Sequence, residues 1–508
     1  MFNYWWFVPA RNILKFVPEI LANFKEFLMI ENRILQRGNE KIKLDNISNY
    51  GGGQVYSRLL MSLGLVYISN STKSFHLTWA SDSILNGQSP VKILTNQILK
   101  YQFPSSFSII HEYKVSERFK IHPFWFLLKI LLDNRIEYLT QEEIAKIIIT
   151  EAENESDKCY EKIVARLIEF RNFGDVCLEK DFAQKYTSSK GIVHFERPFA
   201  HLLDIANTII NWLEYTQFVF RDEGKVKILD EKVEEVKKII SEKFKFVSRP
   251  DEHEHFQRQY GLDLTHTKDT RNLLQTKTVT DFMITEMKVK KIFISISLTE
   301  PVAKITADLI DRISEKSGIK SNIVEEILQK NFPHGSIGAF MTNYFEMAFS
   351  GREQCREFEE ATANIFREIF NFNSTWLGSA YSGREVPDIL LLSDEDKFQA
   401  IIDTKAYSKY DLPTTHRDRM IFHYLPDIKK YSSSELPLKF FSYIAGGFSN
   451  SIANPLNKIV KDSGINGSAM PVSVFIRMIE QNNLKKYNHK EIKNIFSVNR
   501  QVNISDLW

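Results

Sequence analysis

Val386-Pro-Asp-Ile-Leu-Leu-Leu-Ser-Asp-Glu-Asp-Lys-Phe-Gln-Ala-Ile-Ile-Asp-Thr-Lys405 contains two apolar runs separated by one polar turn. Ile389–Leu392 and Phe398–Ile402 read as adjacent buried strands, with Ser393-Asp-Glu-Asp as the turn between them. Asp403 and Lys405 are two apart on the second strand, so their side chains leave the same face. Asp388 begins the first strand, where the hairpin brings it alongside Asp403. Two carboxylates and an ammonium are thus expected at one end of a hydrophobic sheet.

Such an arrangement is costly without a compensating charge, because neighbouring carboxylates repel and burial penalises each ion. A divalent cation relieves it. Oxygen ligands with water and a phosphate oxygen suit Mg²⁺, with Mn²⁺ as a substitute, and Asp388, Asp403 and the Thr404 backbone carbonyl are the candidate ligands. The metal would polarise a phosphate and acidify a bound water. Lys405 would orient or deprotonate that water, or stabilise transition-state charge. A bare Asp-x-Lys is ordinarily an exposed ion pair at a strand end; the Pro387-Asp388 start of the preceding apolar strand reverses that reading.

Upstream, Phe358, Ala361, Thr362, Ile365 and Ile369 form one stripe at helical spacing. Glu359 lies at its edge and is expected to face the sheet as an outer catalytic carboxylate, whereas Glu360 points toward solvent.

The block Pro387-Asp388 … Ile401-Ile-Asp-Thr-Lys-Ala-Tyr-Ser408, followed by Tyr410-Asp-Leu-Pro413, resembles the cleavage domain of FokI and other type IIS restriction endonucleases, within the PD-(D/E)xK nuclease superfamily. The resemblance extends through Phe358–Gly378, Phe440-Phe-Ser-Tyr-Ile-Ala-Gly-Gly-Phe448 and Met470-Pro-Val-Ser-Val474. It implies an α/β nuclease domain, a mixed sheet flanked by helices, with Asp388, Asp403 and Lys405 as cleavage residues. It also implies a transient homodimer through an Asp and an Arg on the helix after the site. Asp418 holds the first of these positions, but Phe422 stands at the second.

In the first half, Trp6-Phe-Val-Pro-Ala-Arg11, Lys100-Tyr-Gln-Phe-Pro104, His122-Pro-Phe124 and Glu169-Phe-Arg-Asn172 resemble the AlwI-type family, which includes nicking endonucleases. There this region recognises a short asymmetric DNA site. Two segments share a helix-then-hairpin design: Gln54–Gly64 leading into 65–79 around Asn70-Ser-Thr-Lys-Ser74, and Ala206–Leu213 leading into 218–229 around Asp222-Glu-Gly224. Winged-helix modules end this way, one helix in the major groove and the hairpin on phosphate, though a purely scaffolding helix and hairpin reads alike. Arg58 and Lys73, on the first unit, are candidate DNA contacts by placement. Arg417, Arg419, Lys429 and Lys430 are phosphate candidates after the catalytic strand, with His416 and His423 beside them.

The expected organisation is a multidomain α+β N-terminal recognition region, 1–250, with winged-helix-like modules near 50–80 and 205–232. A linker or helical connector follows at 251–340, then the endonuclease domain at 341–508. His122–Leu132 reads as a buried helix, Thr140-Gln-Glu-Glu143 as a helix start with a capping box, and 232–247 as a lysine-rich amphipathic helix. Gly51-Gly-Gly53 is a turn without the Gly-Lys-Ser/Thr of a phosphate loop. Glu252-His-Glu-His255 lacks further metal-ligating spacing and reads as a solvated segment.

Composition adds bounds. At 508 residues there are two or more domains. Cys159, Cys177 and Cys355 are odd in number and far apart, which disfavours disulfides or structural zinc and fits a reducing cytoplasm. Formal net charge is +2, and residues 341–508 carry 20 Lys+Arg against 20 Asp+Glu, so DNA binding needs local basic surfaces. No apolar stretch is long enough to span a membrane. The aromatic opening Met1–Pro9 lacks the features of a signal peptide and is expected to pack on the body. The function expected is offset Mg²⁺-dependent cleavage of double-stranded DNA beside an asymmetric site, with a DNA methyltransferase as functional partner. Strand-specific nicking and a DNA-binding protein with an inert nuclease domain are the alternatives.

Overall fold

The computed structural model describes residues 4–5, 14–36, 53–110, 115–187, 198–272, 279–380, 386–482 and 484–508. The motifs at Met1-Phe-Asn3, Trp6–Arg11 and Gly51-Gly52 lie outside them. Of the aromatic opening, Tyr4 and Trp5 are described and buried; Trp5 Nε1 donates to the Ala152 carbonyl at 2.9 Å. The chain divides into two compact units, 1–295 with 306–332, and 296–305 with 333–508.

In the first unit both helix–hairpin segments form. The helix Gly53–Ser62 precedes β1 (Val66–Ile68) and β2 (Phe75–Leu77), antiparallel with Tyr67 opposite His76. Gly64 makes the turn at φ +68°, and a Cβ there would stand 2.4 Å from the Tyr260 ring, so glycine is required twice over. Farther on lie β3 (Leu139–Thr140), the helix Ala200–Tyr215, β4 (Val219–Asp222) and β5 (Lys225–Ile228). The sheet order is β3-β5-β4, all antiparallel. Glu223 and Gly224 both have positive φ, as a two-residue hairpin turn demands. Thr140 caps the next helix, accepting from the Glu143 N–H at 3.2 Å while Glu143 accepts from the Thr140 N–H at 2.7 Å. The helix at His122 runs Pro123–Leu131 and is buried on nearly every side chain.

Two expectations are corrected below. The stretch 251–340, expected as a linker or helical connector, is helical: His253–Tyr260, Asp281–Thr299, Ala307–Ser317 and Ser321–Asn331 form in it, and most of it clusters with the first unit. The cause is burial of their apolar and polar faces. Gln257 Nε2 donates to the Met61 carbonyl at 2.8 Å and the Tyr260 hydroxyl to the Gln97 carbonyl at 2.8 Å. Within Glu252–His255, expected as solvated, Glu252 is exposed whereas His253 and Glu254 are covered. His253 Nε2 accepts the Ile68 N–H at 3.3 Å, and burial pushes its imidazole down to about 4, so it sits neutral as an acceptor. Lastly, the lysine-rich helix stops at Ser241, and residues 242–248 have no regular structure.

The second unit is built on a five-stranded sheet. Its strands are β6 (Asn373–Trp376), β7 (Ile389–Ser393), β8 (Phe398–Lys405), β9 (Leu438–Ala445) and β10 (Asn466–Pro471). The order is β10-β9-β8-β7-β6; β6, β7 and β8 pair antiparallel, β8, β9 and β10 parallel. A mixed sheet flanked by helices results. Alternation sends neighbouring side chains to opposite faces. Ile401, Phe441 and Tyr443 join a core with Met420, Ile421, Leu456 and Ile459 from one side. Phe440 stacks on Phe496, which packs with Phe366 and Phe475. No helix among the described residues is long and apolar enough to cross a membrane.

Candidate active site

The hairpin register decides the geometry. Ile389 pairs with Ile402, so Asp388 and Asp403 are the next opposed positions, at the end of β7 and within β8. β8 is the central strand, and this burial leaves the Asp403 side chain 5% exposed, against 17% for Asp388 and 16% for Lys405. Asp388 Oδ2 accepts two hydrogen bonds from Thr404, one from its N–H (2.6 Å) and one from its hydroxyl (3.0 Å). The carboxylate is thereby held in one orientation.

Lys405 Nζ lies 2.9 Å from Asp403 Oδ1 and 3.9 Å from Asp388 Oδ2, and donates to the Thr404 carbonyl at 3.0 Å. Burial works against its charge, but the carboxylates of Asp403 and Asp388 outweigh burial and hold the ammonium above its ordinary range. Asp388 moves the other way. Burial, then repulsion from Asp403, raises its carboxyl well above the usual range despite Lys405. One lysine therefore does not neutralise the site; a second positive charge is wanted.

The donor set fits a divalent cation. Asp403 Oδ1 is buried, with the Lys405 ammonium 2.9 Å away as its charge partner. Two neighbouring buried carboxylates served by one ammonium are a ligand pair for a hard metal. Among the described residues no group of three or more His, Cys, Asp or Glu closes into a metal cage. Two carboxylates with open positions suit Mg²⁺, which keeps water and takes phosphate oxygens, and do not suit structural zinc. The Thr404 carbonyl sits at the same edge and carries the Lys405 hydrogen bond.

Glu359 stands half-buried on the helix Cys355–Glu368, and Glu360 is exposed. Burial raises the Glu359 carboxyl, although Trp376 Nε1 donates to its Oε2 at 3.0 Å and Lys405 favours its charge. Trp376 escaped the sequence reading; its signal was an indole at the end of the strand before the Pro-Asp. So did Gly378, where a Cβ would lie 2.6 Å from Glu359 Oε2 and 2.8 Å from Trp376 Nε1. Gly378→Ala is expected to wedge this pair apart and lower cleavage about 10-fold, and Trp376→Phe to do the same with little change in Tm. Cleavage rates equal to the unmutated protein's in both variants would remove Glu359 from the reaction.

The remaining candidates are scattered. The Tyr410 hydroxyl and His416 Nδ1 are 2.8 Å apart beside Lys405, a pairing absent from the sequence reading. Arg417 pairs with its neighbour Asp418 at 2.8 Å and is largely covered. Arg419 lies in the same helix, Thr414–Arg419, while Lys429 and Lys430 are exposed beyond it. Phe422 is 65% exposed. Arg58 and Lys73 are exposed in the first unit, Lys73 at a hairpin position with φ +52°.

Comparison with known proteins gives two family matches. A model described as AlwI restriction endonuclease matches residues 61–331, and one described as FokI, cleavage domain matches 318–503. The type II restriction enzyme StsI of Streptococcus sanguinis is 28% identical over 149 residues, which is 27% of this chain and 24% of that relative. The match thus spans about a quarter of the relative's length. Among solved structures, restriction endonuclease FokI aligns with TM-score 0.30 at 14% identity, covering 99% of both chains. The BpuJ1 endonuclease binding domain, in complex with pyrene- and phenanthrene-modified DNA, aligns with TM-score 0.33 at 16% identity over 51% of this chain and 94% of that one.

Proposed function

The chain belongs to the AlwI restriction endonuclease family, whose model spans more than half of it, and from that premise we propose that it is a type IIS restriction endonuclease cutting double-stranded DNA at an offset from an asymmetric site. The observation that carries this reading is the cluster of Asp388, Asp403 and Lys405 at the end of the central strands, inside the region matched by the FokI cleavage-domain model.

Asp388 and Asp403 would hold Mg²⁺. When bound, the ion supplies Lewis-acid polarisation of the phosphate and acidification of a water. The chain's own part is preorganisation. Thr404 fixes Asp388, and the carboxylates fix Lys405 as a cation. An ammonium held above its ordinary range cannot take a proton at neutral pH, so Lys405 is assigned to stabilising charge that develops on the phosphate. Glu359 and Trp376 would orient groups at the rim.

Recognition is assigned to the first unit. The antiparallel order β3-β5-β4, with the helix Pro123–Leu131 before β3 and the helix Ala200–Tyr215 before the β4–β5 hairpin, supports a winged-helix-like reading for residues 123–228. The helix Ala200–Tyr215 is buried along most of its length, whereas Asp157–Phe173, capped by Ser156 and following the helical stretch 141–151 after a short turn, keeps a solvent face. The latter is the better candidate for the groove.

Strand-specific nicking is the second reading. Phe422, where the resemblance expects an arginine at a dimer contact, favours it. Digesting a sequenced supercoiled plasmid with Mg²⁺ and mapping the ends by run-off tests both. Linear product with ends at a constant distance from one asymmetric sequence is expected; open circles alone would assign nicking. An intact plasmid, indistinguishable from one treated with Asp403→Ala protein, would leave only a DNA-binding protein with an inert nuclease domain.

A further inference from the structure

After the helix Val233–Ser241 the chain reads Glu242-Lys-Phe-Lys-Phe-Val-Ser248. Lys243 and Lys245 are exposed, while Phe244 and Phe246 are half-buried. Both rings turn onto His122, at centroid distances of 6.0 and 4.1 Å. His122 is itself buried, with Nδ1 2.7 Å from Glu155 Oε1. One residue on, the backbone is clamped. Gln102 Oε1 accepts the Val247 N–H at 2.7 Å, and Gln102 Nε2 donates to the Val247 carbonyl at 3.3 Å. Anchoring alternate side chains inward presents the lysines between them to solvent. Lys120, from a separate segment, adds a third exposed cation, with Nζ 5.3 Å from the Phe246 ring centroid.

These lysines differ from their neighbours in counter-charge. On the preceding turns Lys232 pairs with Glu235 at 2.8 Å and Lys237 with Glu234 at 2.7 Å. Nearby carboxylates are already engaged: Glu153 with Arg118, Glu155 with His122, Glu252 with Arg249. Glu242 is the acidic residue of the segment and is exposed. Among the described residues, Lys120, Lys243 and Lys245 have no carboxylate within ion-pair distance. Like charges gathered on a fixed backbone repel one another, and a polyanion relieves that repulsion by releasing its own counterions.

We propose that Lys120, Lys243 and Lys245 form a strap that contacts the phosphate backbone of duplex DNA. The proposal rests on the reading of this chain as a DNA-cleaving enzyme and adds the surface that supplies sequence-independent affinity. Phosphate contacts position the protein without reading bases, so the strap acts equally on any sequence.

The test uses the full chain in EDTA, a mixed-sequence linear duplex, and dissociation constants across a KCl series. The variant K120A/K243A/K245A should bind at least about 10-fold more weakly at low salt. Its log K against log[salt] slope should be shallower by about 2–3, given roughly 0.9 per phosphate contact. K120R/K243R/K245R should keep the slope, and so should K232A/K237A, which removes already paired charges. Thermal unfolding of each variant shows whether the fold is retained. An unmutated protein that binds duplex DNA, beside a folded triple-alanine variant with the same slope, overturns the strap alone. An unmutated protein that binds no duplex overturns both the strap and the DNA-cleaving reading.

Discussion

Asp403→Ala and Lys405→Ala are each expected to slow DNA hydrolysis at least about 10³-fold while leaving duplex binding by the full chain within about 2-fold. The two variants fail for different reasons. Asp403 contributes a buried carboxylate, the proposed metal ligand, so its removal would take that ligand away. Lys405 contributes a cation 2.9 Å from Asp403 and 3.9 Å from Asp388, so its removal leaves two opposed carboxylates without their internal counter-charge. Lys405→Ala should therefore bind Mg²⁺ more tightly while its rate stays low, because the cation competing for the two carboxylates is gone. Isothermal titration of Mg²⁺ checks this, and weaker binding than in the unmutated protein would overturn it. Lys405→Arg keeps the charge in a planar fork that cannot repeat the contacts of the ammonium, so only partial activity should return. Cleavage by Asp403→Ala at an unmutated rate would place the chemistry elsewhere in the chain.

The second large effect is a pH-dependent stabilisation by metal. The Asp388 carboxyl is held above its ordinary range by burial and by the charge of Asp403. A carboxyl raised in the folded state binds more protons folded than unfolded, so the metal-free protein loses stability as pH climbs from the ordinary carboxylate range through the raised folded value. Below that range the penalty is absent. A divalent cation engages the ionised pair and removes the penalty, so Mg²⁺ should raise the Tm of the second unit by about 2–4 °C at pH 8 and by less near pH 5. Asp388→Asn should abolish both the pH slope and the Mg²⁺ response. A shift of equal size at both pH values, in the unmutated protein and in Asp388→Asn alike, would show that the ion binds elsewhere.

The legible parts of this protein are those written in short-range periodicity. A spacing of two puts Asp403 and Lys405 on one face, and an apolar-turn-apolar pattern pairs β7 with β8, so the site follows from about twenty residues. The Thr140–Glu143 capping box is likewise local, and it is present with both hydrogen bonds. Where local patterns compete, spacing alone does not decide. Lys243-Phe-Lys-Phe246 alternates with a period of two, yet it follows the lysine-rich helix without a break in composition. The ring of His122, more than a hundred residues upstream, is what the two phenylalanines answer to.

The same division holds for the whole chain. By itself the sequence determined the hairpin, the clustering of Asp388, Asp403 and Lys405, and the helix–hairpin segments, because each depends on side chains within one turn or one strand pair. Only the tertiary structure decided that most of residues 251–332 belongs to the first unit, because the acceptors of Gln257 and Tyr260 are backbone carbonyls at Met61 and Gln97. It alone brought Trp376 and Gly378 to Glu359. And it alone set Asp388 and Asp403 around Lys405, whose charge they favour, since a pKa follows from burial and neighbouring charge in three dimensions, and neither is recorded in a spacing.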